Sequence, residues 1–223
     1  MDQNAKISTT REWLEMIKFE HTVFALPFAM SGMILGYTGG IAPEPLTILY
    51  TVLAFVGARS AAMTLNRLID ANIDALNPRT SIRAIPKGLI SKRSAMFFAI
   101  LSFALMIAAA TQLPPLCLAL SPIAVFWLSF YSFTKRFTWL CHIVLGIALG
   151  GASLGGWIAA GGDLAQAPPW ILSLAVTTWV AGFDLIYACQ DVEFDREQKL
   201  NSMPARFGIA KALLISRFLH VIT

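Results

Sequence analysis

The stretch "WILSLAVTTWVAGFDLIYACQDVEFDRE", Trp170 to Glu197, joins an apolar run to a burst of acid. The run is about 20 residues long and does not alternate, which predicts a membrane-spanning helix rather than a strand. Asp191, Glu193, Asp195 and Glu197 then crowd its mouth, in a chain with 13 acids among 223 residues. Carboxylates placed so closely repel unless a cation or a proton intervenes.

The rest of the chain agrees with a polytopic membrane protein. It is 57% hydrophobic and 13% charged, whereas soluble domains carry about 25% charged residues. Mean hydropathy is +0.65. The predicted fold class is all-α, a transmembrane helix bundle, with 1–223 forming one domain because the spans must pack on each other. Spans are expected at 20–38, 46–68, 94–112, 116–133, 140–160 and 169–190, with a seventh starting near 208. The first apolar run is too long for a cleavable signal and reads as a retained span. Before it, Thr9-Thr10-Arg11-Glu12 has the form of a capping box, and Trp13, Leu14 and Ile17 share one face of a short interfacial helix. Cys117, Cys141 and Cys189 lie in apolar runs without metal-like spacing and read as small hydrophobes. His21, His142 and His220 show no ligand spacing either. Trp139 and Trp170 fit interfacial anchors.

Charge is distributed by topology. Lys6, Arg11 and Lys18 precede the first span, and Arg79, Arg83, Lys87, Lys92 and Arg93 fill the second loop. Lys135 and Arg136 occupy the fourth loop, and Arg196, Lys199, Arg206 and Lys211 the sixth. The opposite loops hold only Glu44 and Asp163. The positive-inside rule therefore places the N-terminus and the charged loops in the cytoplasm, with the chain in the cell's inner (cytoplasmic) membrane. The net charge of +4 has this cause and gives no reason to invoke nucleic acid. The chain stops at Thr223, part-way into the seventh span, which suggests a truncated protein.

A second acidic cluster, "NRLIDANID", holds Asn66, Asp70 and Asp74. Steps of four place these side chains on one helix face. The same spacing relates Asp191 to Asp195, with Asp184 seven residues earlier and about 10 Å deeper. Both clusters end spans on the same side, so they are expected to face each other and line one cavity. Mg²⁺ takes oxygen ligands and binds through one or two carboxylates plus substrate phosphates. Arg79, Arg83, Lys135 and Arg136 would neutralise a diphosphate, and an apolar bundle below would hold a lipid chain. The residues alone thus predict a site for a diphosphate carried on a lipid.

The segments "NRLIDANIDALNPRT", "YSFTKRFTWL" and "DLIYACQDVEFD" resemble the UbiA superfamily of membrane prenyltransferases. The likeness is greatest to the branch acting on 4-hydroxybenzoate and to its relatives acting on 1,4-dihydroxy-6-naphthoate. The family's first motif is NDxxDxxxD, which Asn66, Asp70 and Asp74 match while Arg67 departs from it. The second, DxxxD, matches Asp191 and Asp195. The resemblance implies that these four aspartates hold Mg²⁺ against a polyprenyl diphosphate. It also implies that Arg79 and Arg83 grip the diphosphate, with Tyr131 and Lys135 as a YxxxK element. Arg59, seven residues before Asn66, is associated with an aromatic acid acceptor in the benzoate branch, and a guanidinium suits a carboxylate. Asp184 is expected to accept a proton, to orient Asn66 or Arg59, or to form a structural ion pair. The superfamily fold has nine helices, of which about six and a half would be present.

The implied reaction is Mg²⁺-dependent prenyl transfer in ubiquinone or menaquinone biosynthesis. Two other readings stay open at this point: a membrane transporter with buried carboxylates, and an inactive C-terminally truncated fragment. A transporter site would sit near the midplane on broken helices. Here the acids gather at one end.

Overall fold

A computed structural model describes residues 3–37 and 43–223, with the side chains of 3–9, His21 and Phe24 outside the description. Sequence expectations for Lys6, Thr9 and His21 as side chains therefore fall outside the described residues. The described residues form ten α-helices and no strand. They are α1 (Gln3–Met16), α2 (Phe19–Gly36), α3 (Pro45–Leu76), α4 (Lys92–Ala110) and α5 (Pro115–Phe130). After a 3-10 turn at Tyr131–Arg136 come α6 (Cys141–Ala159) and α7 (Ala167–Ala188). A second 3-10 turn, Cys189–Asp191, leads to α8 (Val192–Glu197), α9 (Met203–Phe207) and α10 (Ile209–Ile222).

Five helical segments are long and apolar enough to cross a membrane, and α2 contributes a shorter apolar stretch, Ala25–Gly36. Large apolar side chains such as Phe97, Ile100, Ile123, Phe126 and Ile171 are each at least 60% exposed on the outer face of the bundle. In water that surface would be costly, and in lipid it is the expected exterior. The predicted spans coincide with α2 to α7 and the start of α10.

Helix α3 departs most from its predicted span. Pro45 starts it at the favourable N1 position, and nothing breaks it until Asn77-Pro78. At 1.5 Å per residue its 32 residues run about 48 Å, well beyond a hydrocarbon core of about 30 Å. The excess length carries Asp70 and Asp74 to the end of the bundle where the basic loops lie.

Close helix packing rests on small residues, as in other membrane bundles. A Cβ on Gly156 of α6 would fall 1.9 Å from the Ala29 carbonyl oxygen of α2, and one on Gly32 would fall 1.9 Å from the Ser153 carbonyl oxygen. Along the other face of α6, Gly146 and Gly150 admit the backbone of α7. The most extensive pairings are α3 with α4, α6 with α7 and α2 with α6, while α10 lies on α7. Met16, Ile17, Ala71, Ile85, Ile90 and Ala95 form a core at the charged end. There Ile85 and Ile90 pin the 77–91 loop onto α3.

The N-terminal expectations need correction. Thr10 lies inside α1 (Gln3–Met16), so it does not stand at the start of the helix. Trp13 and Ile17 turn inward, Trp13 onto Phe98 at 4.9 Å between ring centroids, while Leu14 is 45% exposed.

Candidate functional site

The site is built where the long end of α3 meets three connections. Asn66, Asp70 and Asp74 follow one another up α3. Asp70, 2% exposed, receives Lys135 Nζ at 2.5 Å on Oδ2. Arg136 Nη2 stands 3.2 Å from its Oδ1 without the alignment of a hydrogen bond, so that oxygen is buried and unbonded. Asn66 Nδ2 donates to Asp70 Oδ2 at 3.4 Å and to Ser132 Oγ at 3.5 Å. One turn higher, Arg83 Nη1 donates to both oxygens of Asp74 at 2.7 and 2.6 Å.

The second acidic cluster joins the first through the loop after α3. Asn77 Nδ2 donates to Asp191 Oδ1 at 3.2 Å, and Arg79 Nε donates to the same oxygen at 3.0 Å. A further Arg79 nitrogen, Nη2, pairs with Asp191 Oδ2. The turn that makes this reach possible is local. Asn77 Oδ1 accepts from the Arg79 backbone N–H at 2.9 Å, and Thr80 Oγ1 donates to the Asp74 carbonyl at 3.0 Å. The bond to Asp191 holds the Arg79 guanidinium above its already high ordinary pKa. Asp195 accepts from Ser202 Oγ at 2.7 Å.

Asp191 and Asp195 do not share one regular helix, which corrects the spacing argument. The 3-10 turn at Cys189–Asp191 separates α7 from α8 and sets each carboxylate on a different piece. Nor do all four aspartates line one cavity. A cavity of about 300 Å³ lies under the 77–91 loop, and of the four only Asp74 is in its wall. Lys18, Arg67, Arg79 and Arg83 also line it, with Glu12, Glu15, Tyr187 and apolar residues such as Met16, Met63 and Ile85.

Asp184 is not next to Asn66 or Arg59 as an orienter. Its Oδ2 lies 2.7 Å from His142 Nδ1 of α6. The other ring nitrogen, Nε2, accepts from the Met203 backbone N–H at 3.4 Å, which puts the proton on Nδ1 and makes it the donor to Asp184. Tyr131 donates to the Ala62 carbonyl at 3.3 Å. Arg59 lies two turns below Asn66 on α3. Its Nε is buried and has no hydrogen-bond partner among the described residues. It is not in the wall of the 300 Å³ cavity.

Sequence reasoning missed Asn77, Ser202 and His142, and it left Arg67 without a role. Asn77 and Ser202 could have been found as short polar residues beside the motifs they serve. His142 gave no signal, because its partners are 42 and 61 positions away.

The donor set suits a hard cation, since every motif carboxylate offers oxygen. Among the described residues no three His, Cys, Asp or Glu side chains stand close enough to hold a metal by themselves. Lys135, Arg83 and Arg79 occupy three of the carboxylates instead. The arrangement fits a divalent ion that enters with a polyanion, which would supply further oxygen ligands and draw off the basic side chains. Asp70 Oδ1 makes no hydrogen bond but stands 3.2 Å from Arg136 Nη2, so a cation there would have to displace that guanidinium.

Comparison with known proteins bears on the family and the fold. A 4-hydroxybenzoate octaprenyltransferase of Pseudomonas aeruginosa (strain LESB58) is 33% identical over 181 residues, 78% of this chain and 58% of that protein. The chain therefore spans little more than half the length of this curated relative. Among solved structures, the apo structure of a UbiA homolog from Aeropyrum pernix K1 superposes with a TM-score of 0.84 at 38% identity, covering 91% of this chain and 75% of that one. A UbiA homolog from Archaeoglobus fulgidus bound to DMAPP and Mg²⁺ shares the fold, with a TM-score of 0.75 at 24% identity over 95% of this chain and 74% of that one. The profile of the UbiA prenyltransferase family matches residues 25–223, so that both acidic motifs and the basic loops fall within it, and the chain belongs to that family of multi-pass membrane proteins.

Proposed function

We propose that the chain transfers a polyprenyl group from its diphosphate to a carboxylated aromatic acceptor. The acceptor would be 4-hydroxybenzoate or 1,4-dihydroxy-6-naphthoate, a step of ubiquinone or menaquinone biosynthesis. The observation that carries this reading is the junction of the two acidic motifs, where Asn77 and Arg79 hold Asp191 beside the Arg83–Asp74 pair. Relatives support it by name: one is a 4-hydroxybenzoate octaprenyltransferase, and a neighbour of the same fold binds DMAPP and Mg²⁺.

In this reading Asp70, Asp74, Asp191 and Asp195 would hold Mg²⁺, which would supply Lewis-acid stabilisation of the departing diphosphate. Arg79, Arg83 and Lys135 leave their carboxylates and bond the diphosphate oxygens, so charge on the leaving group meets preorganised donors. Asn66 and Tyr131 fix the end of α3 against the Tyr131–Arg136 turn, which carries Lys135. The allylic C–O bond breaks, its electron pair leaves with diphosphate, and an electron-rich ring carbon forms the new C–C bond. The ring proton then passes to the released diphosphate. Apolar walls keep water from the allylic cation. Arg59 receives the acceptor carboxylate. The basic end of the bundle faces the cytoplasm, by the distribution of Lys and Arg, and the chain works as one domain in the inner membrane.

The test is a membrane assay with a polyprenyl diphosphate, Mg²⁺, and the two acceptors in competition. Prenylated acceptor should form with the parent chain and vanish with Asp191→Asn or Asp70→Asn. Product formation that is indifferent to both substitutions would exclude this site as the seat of the reaction.

A further inference from the structure

Arg67 occupies the second position of the first motif, where the family pattern has an acid. It is 9% exposed, in the last third of α3. A guanidinium that deep normally has a carboxylate or several carbonyls around it, because leaving it unpaired is costly. Arg67 has neither a hydrogen bond nor an ion pair among the described residues. Its neighbours are already committed: Asp74 to Arg83, and Asp70 to Lys135. What exposure it has opens onto the 300 Å³ cavity under the 77–91 loop.

Position on the helix explains the view. Arg67 and Asp74 are seven residues apart, so they share a face two turns from each other, about 10 Å along the axis. Asp74 sits at the mouth, and Arg67 sits deeper. Asn66 and Arg59 line a different face, some 100° around the helix from Arg67. The cavity wall carries four cations, Lys18, Arg67, Arg79 and Arg83, against three carboxylates. Of these cations Arg79 and Arg83 are held by aspartates and Arg67 is free. Exchanging an acid for an arginine here reverses the sign of charge that the cavity's interior presents to a ligand.

We propose that Arg67 is a substrate-contacting residue whose guanidinium takes an oxyanion bound in this cavity, either a diphosphate or a ring carboxylate. The planar fork of five donors suits both. The proposal rests on the prenyl-transfer reading for which anions are offered, but not for the presence of an anion site. It also differs from the role given to Arg59, which does not reach this cavity.

The experiment uses the full chain in nanodiscs, with inorganic pyrophosphate plus Mg²⁺ and 4-hydroxybenzoate as two separate calorimetric probes. Arg67→Met and Arg67→Lys are compared with the parent, each with a thermal melt. Loss of one charge-assisted contact should weaken the affected probe at least about tenfold in Arg67→Met, and less in Arg67→Lys. Weakening of pyrophosphate alone assigns the diphosphate, and weakening of 4-hydroxybenzoate alone assigns the carboxylate. Arg67→Met should melt no lower than the parent, because it removes a buried charge that has no hydrogen bond or ion pair of its own among the described residues. A parent that binds neither probe, a variant that binds both as the parent does, or a variant that melts well below it overturns the proposal. Arg67-dependent pyrophosphate binding without prenyl transfer would retain the anion site and reject the reaction.

Discussion

Arg79 closes on Asp191 across 112 positions of chain, with Nε 3.0 Å from Oδ1. On the proposed reading the pair stands where the diphosphate would bind. Arg79 is 42% exposed there, so its contribution to stability is small, under about 1 kcal/mol. Its contribution to the reaction should be much larger, because a phosphoryl oxygen can take the place of the carboxylate. Arg79→Ala should therefore lower kcat/KM for the prenyl diphosphate by about 2–4 kcal/mol in transition-state terms, the scale of a lost oxyanion donor. The melting temperature should barely move. An unchanged kcat/KM would reduce Arg79 to a structural tie between the motifs.

Metal binding should depend on the anion. Lys135, Arg83 and Arg79 already neutralise Asp70, Asp74 and Asp191, so the chain does not need a metal to remain folded. Chelation should abolish prenyl transfer without lowering thermal stability. Mg²⁺ alone should bind weakly, and pyrophosphate should tighten it, because each ligand relieves the charge that opposes the other. Linkage requires the reverse effect to be equal. Calorimetry of Mg²⁺ with and without pyrophosphate measures both directions. Equal Mg²⁺ affinity in the two cases would rule out a metal that arrives with its diphosphate.

Arg59 carries the assignment of the acceptor. Its Nε is buried and unbonded, which is expensive unless a ligand group completes it. Arg59→Ala should raise KM for a carboxylated acceptor, at a cost of about 1.5–3 kcal/mol for one charge-assisted contact. KM for the prenyl diphosphate should change little. A phenol without the carboxylate should be a poor acceptor for the parent and lose little more in the variant. Equal losses with both acceptors would leave the enzyme reading in place and remove the preference for an acid.

The fold was legible because lipid imposes a simple rule on sequence. Long apolar runs, prolines at their starts and basic residues in alternate loops were enough to locate α2 to α7. The end of α3 was misjudged because the hydropathy falls at Asn66 while the helix does not stop. Only Pro78 ends it. The acidic motifs were legible for electrostatic reasons, since carboxylates four apart demand a cation. That the cations are the protein's own Lys135, Arg83 and Arg79 depends on loop geometry, which the spacing does not contain. Arg67 was given no role from the sequence. Its seven-residue relation to Asp74 is visible in the sequence, but its burial depends on how α1 and the 77–91 loop close over α3.

The partner of Asp184 lies furthest from anything the sequence displays, and it yields a distinct prediction. His142 is 4% exposed and joins Asp184 of α7 to the Met203 backbone, just after Ser202. Ser202 in turn donates to Asp195 at 2.7 Å. The histidine thus fastens the segment that presents a motif carboxylate, at one remove from the reacting groups. His142→Ala would leave Asp184 without its donor and the Met203 N–H without its acceptor, costing about 1–3 kcal/mol of stability. Asp184 is 35% exposed and keeps access to solvent, so the lower part of that range is expected. Freed of its tie, the 198–203 segment should show faster amide exchange, while α3 and its loop should not. Mg²⁺ dependence of activity should shift to higher concentrations, because Asp195 is held less firmly. Asp184→Asn keeps a hydrogen-bond acceptor for His142 and should reproduce only a fraction of these changes. If Asp184→Asn abolished activity while amide exchange in that segment stayed as in the parent, Asp184 would have a direct part in the chemistry and the fastening role would be wrong.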